Sequence, residues 1–163
     1  MSTNAKAIPE GFHTLTPYLV VRDAPKAIEF YKKAFGAEVR GVHHAPDGKV
    51  MNADLKIGDS ILMLCEEFPA MKVLSPESRG GSSVTIHIYT PDVDAAFNKA
   101  VCAGATVAMP VMDMFWGDRY GQLVDPFGHS WSVATHKQDL TPEEIEKGGR
   151  AAFERMAQKS QHA

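Results

Sequence analysis

The sequence predicts an α+β fold: two tandem βαβββ units whose curled mixed sheets border an open trough, followed by a C-terminal helix. Three observations carry this reading. One unit occurs twice, each copy holds a helical apolar stripe between an Asp and a Gly, and period-two stretches follow each helix. The first copy reads TPYLVVRDAPKAIEFYKKAFGAEV and the second TIHIYTPDVDAAFNKAVCAGATV. Asp92 follows Asp23 by 69 residues, Gly104-Ala105 follows Gly36-Ala37 by 68, and Gly128 follows Gly58 by 70. Three landmarks at nearly one spacing indicate a duplication.

Each copy opens on a short β-branched run, Thr16 to Arg22 and Val84 to Tyr89. Ala27, Phe30, Tyr31 and Ala34 then fall on one helical stripe, as do Val93, Ala96, Phe97, Ala100 and Val101. Asp23 and Asp92 stand where an N-cap accepts orphan backbone N–H groups, and each stripe ends at a glycine suited to the C′ position. Capping accounts for both aspartates. Period two follows in Glu38 to His44 and Lys49 to Ile57, joined by the turn Ala45-Pro46-Asp47-Gly48, and Gly58-Asp59 leads into Ser60 to Leu64. The second copy has Thr106 to Met114, a bend at Trp116-Gly117-Asp118, Arg119 to Val124, the turn Asp125-Pro126-Phe127-Gly128, and His129 to Thr135. The expected division is 14–65 for the first unit, 66–83 for a Pro/Gly/Ser-rich linker, 84–136 for the second unit and 137–163 for a helical tail. In the tail, Thr141 and Glu144 have capping-box spacing. Gly148-Gly149 is expected to interrupt that helix, leaving Ala151 to Met156 as a separate short turn over a partner subunit.

Composition fits a globular chain. The 163 residues are 44% hydrophobic and 23% charged, with 17 Lys+Arg against 20 Asp+Glu and a net charge of −3. Scattered basic residues in an acidic balance argue against a nucleic-acid partner. The apolar stretch Val101 to Met112 is broken by Gly104 and Pro110 and is shorter than the ~20 residues of a membrane span. With no apolar signal core at the N-terminus, a soluble cytoplasmic protein is expected. Cys65 and Cys102 read as reduced core thiols.

If helices cover one face of each sheet, alternation assigns the opposite face to the trough. Pro17, Leu19 and Val21 then pack inward, while Thr16, Tyr18, Val20 and Arg22 face the trough. Likewise Val84, Ile86 and Ile88 pack, and Thr85, His87 and Tyr89 line it. Trp131 is expected in the core, with Ser132 on the trough side.

LVVRDAPKAIEFYKKAFGAEV, IGDSILML, TPDVDAAFNKAVCAGATV and WGDRYGQLVDPFGHSWSV together resemble the vicinal oxygen chelate superfamily of glyoxalases, bleomycin-resistance proteins and dioxygenases. Within it they look most like the glyoxalase-like proteins named after a phosphonate-utilisation operon. The resemblance spans residues 14–136 and implies the glyoxalase-like fold. It also implies four metal-ligand positions, which here hold Thr16, Thr85, Ser132 and either Leu62 or Met63. None of these supplies an imidazole, carboxylate or thiolate, so no metal and no cofactor are expected.

Among the histidines, His13 and His162 lie near the ends, His43 and His44 point to opposite faces, and His129 belongs to a structural turn. His136 falls past the last strand, which leaves His87 alone in the trough. The candidate ligand-binding set is Thr16, Tyr18, Thr85, His87, Tyr89, Trp116, Arg119, Tyr120 and Ser132, with no catalytic residue assigned. The aromatic members offer stacking faces and Arg119 a fork for an anion. Trp116 has a second reading, as a contact for a neighbouring subunit. Ser132 and His87 lack a Gly-x-Ser-x-Gly elbow and an orienting acid, so they make a poor nucleophile and base. Glu66-Glu67 reads as a solvated strand end.

Three functions compete. The first is a metal-independent binder of a small aromatic or cationic molecule, resembling bleomycin-resistance proteins and working as a homodimer. The second is a metal-dependent lyase or dioxygenase, and the third a scaffolding protein.

Overall fold

The computed structural model describes residues 5–160. The first unit is β1 (Tyr18–Val21), α1 (Ala24–Phe35), β2 (Glu38–His44), β3 (Val50–Ile57) and β4 (Ser60–Glu66). A 3-10 turn (Pro69–Met71) and the short α2 (Pro76–Arg79) lead to the second unit: β5 (Thr85–Tyr89), α3 (Val93–Ala103), β6 (Thr106–Asp113), β7 (Asp118–Val124) and β8 (Ser130–His136). The chain then forms α4 (Pro142–Ser160). Each unit folds into its own four-stranded mixed sheet, ordered β1-β4-β3-β2 and β5-β8-β7-β6. In both, the first strand lies parallel to the last and the remaining pairs are antiparallel. This is the expected α+β architecture of two tandem βαβββ units followed by a C-terminal helix.

The helix ends form as the sequence dictates. Asp23 and Asp92 accept hydrogen bonds from the backbone N–H groups of Lys26 and Ala95, each at 3.0 Å. Gly36 takes the left-handed conformation that ends α1. The α1 stripe is buried throughout. In α3, Val93, Phe97 and Ala100 are buried, but Val101 sits at the exposed rim.

The helix-covered faces of the two sheets share one core. α1 packs on α3 and reaches across to the second sheet, where Tyr31 and Phe35 meet Trp131 at ring distances of 5.5 and 4.6 Å. Core residues come from both units, including Leu19, Val21, Leu55, Leu64, Leu123, Trp131 and Val133. The lining faces of the two sheets therefore look away from this core. Among the described residues, no hydrogen bond or ring contact was found joining one lining face to the other.

Asp125 locks the two units together. Its Oδ1 accepts the backbone N–H groups of Phe127 and His129, which shapes the turn. Its Oδ2 accepts from Tyr31 Oη at 2.7 Å and from Trp131 Nε1 at 2.8 Å. Burial and this carboxylate push the Tyr31 phenol well above its ordinary pKa. His129, structural as expected, reaches the Val20 carbonyl through Nε2 at 2.9 Å.

The 66–83 connection starts at the last residue of β4 and is docked: Ser75 and Pro76 are buried, and Pro76 packs against Gly128. Four expectations need correction here. Glu66 and Glu67 are not a solvated end, because they accept the backbone N–H groups of Val50 and Ser75 at 2.6 and 2.7 Å. Hydrogen bonds from Ser75 and Ser78, with help from Arg22, hold the Glu67 carboxyl down at about 2. Val84 is exposed, since it precedes β5, and Cys102 is exposed on α3 while Cys65 is buried. Finally, α4 is continuous, and its glycines have a packing reason. A Cβ at Gly148 would stand 3.0 Å from Phe115 Cβ, and one at Gly149 3.2 Å from the Phe115 ring. The capping box itself forms, with Thr141 Oγ1 accepting from Glu144 N and Glu144 accepting from Thr141 N.

Candidate functional site

Strand pairing places Thr85, His87 and Tyr89 of β5 on one face with Ser132 and His136 of β8 and with Asp118, Tyr120 and Gln122 of β7. Trp116, in the loop before β7, closes one side.

The aromatic part is one contiguous group. His87 stacks on Tyr120 (5.9 Å, 20° between planes) and meets Tyr89 edge-on at 4.5 Å. Trp116 meets Tyr120 edge-on at 5.4 Å, and Phe115 meets Trp116 at 5.0 Å.

Beneath the rings runs a polar network. His87 Nδ1 and Ser132 Oγ lie 2.7 Å apart, and Ser132 is buried to 2% exposure. Burial lowers the His87 pKa against the opposing charge of Asp118, which favours the neutral imidazole. This bond fixes the ring. It does not make a nucleophile and base, because no carboxylate meets the other ring nitrogen among the described contacts. Gln122 Nε2 donates to Tyr120 Oη at 2.8 Å, which leaves the phenol proton directed elsewhere.

Asp118, 5% exposed, is the charged centre of the network. Oδ2 accepts from Tyr89 Oη at 3.0 Å and Trp116 Nε1 at 3.1 Å, and Oδ1 lies 2.7 Å from His136 Nδ1. Burial alone would raise this carboxyl, but hydrogen bonds from His136, Tyr89 and Trp116 outweigh it and lower the pKa. His136 Nε2 lies 3.0 Å from Asp139 Oδ1, and the two carboxylates, Asp139 foremost, raise the imidazole pKa.

Of the nine residues expected in the site, the structure brings His87, Tyr89, Trp116, Tyr120 and Ser132 into direct contact. Thr85 shares their face, one step along β5, without a bond to the group. Three others lie apart. Arg119 has opposite parity to Tyr120 and clasps Asp94 of α3 through two bonds of 2.7 and 2.8 Å, with Asp113 at 3.3 Å, so its fork is filled by its own chain. Thr16 precedes β1, and its hydroxyl donates to the His13 carbonyl. Tyr18 lines the first sheet instead. Half its surface is exposed, yet its hydroxyl turns in to donate to the Met51 carbonyl at 3.2 Å, and burial of that end, with Cys65 beside it, pushes the phenol up to about 12. Arg22, expected to line the trough, reaches Glu67, Glu77 and Ser78 of the docked segment.

Sequence reasoning missed Asp118, Gln122 and His136. Parity held the signal: Asp118 and Gln122 alternate with Tyr120, and His136 continues the series from Ser132 once β8 runs one residue further than expected. His162 lies outside the described residues.

The duplication also resolves the metal register. Tyr18 pairs with Met63 as His87 pairs with Ser132, each partner displaced by 69 residues, so Met63 is the first-copy counterpart of Ser132. Leu62 is buried on the helix side. A divalent ion does not fit these donors. Thr16 and Ser132 oxygens are already hydrogen-bonded, Met63 offers a thioether, and no group of three His, Cys, Asp or Glu suited to a metal occurs among the described residues.

Duplicated βαβββ units, each with its own four-stranded mixed sheet, define a glyoxalase-like fold. The chain belongs to the Glyoxalase/Bleomycin resistance protein/Dioxygenase superfamily, whose model matches residues 11–133. It is 47% identical over 135 residues to an uncharacterized protein of Mycobacterium tuberculosis, covering 81% of this chain and 79% of the relative. The structure of a gene product from Arabidopsis thaliana aligns with a TM-score of 0.60 at 32% identity, over 76% of this chain and 98% of that one. TnmS3, an antibiotic binding protein from Streptomyces sp. CB03234, shares the fold with a TM-score of 0.58 at 23% identity, over 82% of this chain and all of its own.

Proposed function

We propose that this protein binds a small aromatic molecule on the lining face of the second sheet, without a metal ion. The observation that carries the reading is the contiguous ring group of His87, Tyr89, Trp116 and Tyr120, set over side chains that already satisfy one another's hydrogen bonds. Such a surface offers apolar stacking area with few free polar groups, the usual composition of a small-molecule site. The antibiotic-binding neighbour supports it as a likeness of fold. The donor chemistry disfavours the lyase or dioxygenase reading.

A second copy of the chain supplies the opposite wall in this reading. Among the described residues no further strand pairs with the outer edges of β1 and β5, and Tyr18 on β1 and Tyr89 on β5 are half or more exposed. Unpaired edges flanked by exposed aromatic residues are surfaces that association satisfies.

The test is a thermal-shift screen of aromatic antibiotics and dyes on the wild-type protein and Trp116→Ala, with mass measured by sedimentation. A ligand that raises the wild-type midpoint and not that of the variant supports the site, since ligand bound to the native state stabilises it by mass action. A shift that survives the mutation removes Trp116 from the site. Turnover of methylglyoxal–glutathione or catechol on adding Ni²⁺ or Fe²⁺, with metal retained, would instead establish the enzyme reading.

A further inference from the structure

We propose that Asp118 is the positioning residue of this face, and that His136 uses it to fasten the C-terminal segment to the wall carrying Trp116. The proposal deepens the binding reading and rests on it for its biological meaning. Its geometry can be tested without any ligand.

Asp118 collects donors from three places in the chain: Tyr89 on β5, Trp116 in the β6–β7 loop and His136 at the end of β8. Two of these are rings of the aromatic group, so one buried carboxylate sets the tilt of both. The Trp116 loop has two further ties, both to the C-terminal part of the chain. Gly117 O accepts from Lys137 N and Gln138 N at 2.9 and 3.0 Å, and Phe115 occupies the gap left by Gly148 and Gly149 of α4. Gly117 has φ +99, and a Cβ there would lie 2.3 Å from the Gln138 carbonyl oxygen, so only glycine permits this approach.

His136 joins the two halves of the arrangement. Its ring stands between two carboxylate oxygens, Asp118 on β7 and Asp139 on the segment leading to α4. Both oxygens are acceptors. A neutral imidazole carries one N–H and can satisfy one of them, whereas the imidazolium donates to both. Among the described residues, the charged groups bonded to the ring are these two carboxylates; Lys137 is its neighbour in the chain, and the Tyr89 phenol is bonded to the far oxygen of Asp118. Protonated His136 therefore closes the clamp, and deprotonation opens one side. The raised imidazole pKa keeps the clamp closed to a higher pH than a free histidine would.

Acrylamide quenching of tryptophan fluorescence reads this directly. The chain has two tryptophans, and Trp131 is buried at 1% exposure, so Trp116→Phe supplies the background to subtract. In the wild type, quenching of Trp116 is expected to rise as pH climbs from 5 to 9. In His136→Asn that pH step is expected to be lost, and in Asp118→Asn quenching should be high throughout. His136 is half exposed, so its variant tests the proposal even if Asp118→Asn fails to fold. A flat wild-type profile, or a step that persists in His136→Asn, overturns the proposal whether or not a ligand is found. Failure of the ligand screen with the step intact overturns the binding reading alone.

Discussion

Removing the Tyr31 hydroxyl tests how the two units are joined. Tyr31→Phe keeps the ring that packs on Phe35 and Trp131 and deletes one buried 2.7 Å hydrogen bond to Asp125. A hydrogen bond to a charged acceptor is worth about 1.5–3 kcal/mol. At about 2–4 °C per kcal/mol for a chain of this size, the midpoint should fall by about 3–12 °C. Asp125 keeps its three other donors, so the variant should still fold and unfold in one step. Asp125→Asn should cost more. The two backbone donors can use the amide oxygen, but the amide N–H₂ must then face the Trp131 N–H, donor against donor, in a buried site. Urea unfolding followed by circular dichroism gives both values, with a shifted midpoint and unchanged slope as the sign of a pure stability effect. A Tyr31→Phe loss below about 0.5 kcal/mol, the floor for an ordinary hydrogen bond, would refute the claim that Asp125 fastens the units.

Other outcomes follow from single features. Glu67 is held at about 2 against an ordinary 4.5, so its contribution is present above pH 4.5 and lost as pH falls toward 2; Glu67→Gln should flatten acid unfolding in that window, measured by urea midpoints from pH 2 to 6. Gly121→Ala places a methyl 2.7 Å from the Phe97 ring and 3.0 Å from Val111 and should cost about 1–3 kcal/mol by the same assay, an overpacked interior. Asp92→Ala removes the α3 cap and should cost about 1 kcal/mol, with Asp92→Asn retaining most of it. Arg119→Ala should leave ligand affinity in the thermal-shift screen unchanged, because its guanidinium is committed to Asp94 on the helix side.

The sequence by itself determined the duplication, every strand of both units to within one or two residues, the two Asp caps, the capping box and the burial of Trp131. These are local matters: side-chain period, cap chemistry and turn glycines act over a few residues, and the folded chain keeps them. It also showed that the positions the resemblance marks for a metal carry three hydroxyls and either Leu62 or Met63, with no imidazole, carboxylate or thiolate; strand pairing then selected Met63. Only the tertiary structure decided which polar groups meet. Arg119 and Tyr120 are neighbours in one strand and so point to opposite faces, one toward α3 and the other toward the rings, but which of the two faces is the aromatic one was decided by the pairing of β7 with β8. Gly148-Gly149 looked like a helix break because the reason for them, Phe115, lies more than thirty residues earlier in the chain. Asp118 read as part of a bend until Tyr89, Trp116 and His136 were placed around it. A carboxylate's role depends on which donors the fold delivers to it, and those arrive from strands distant in sequence.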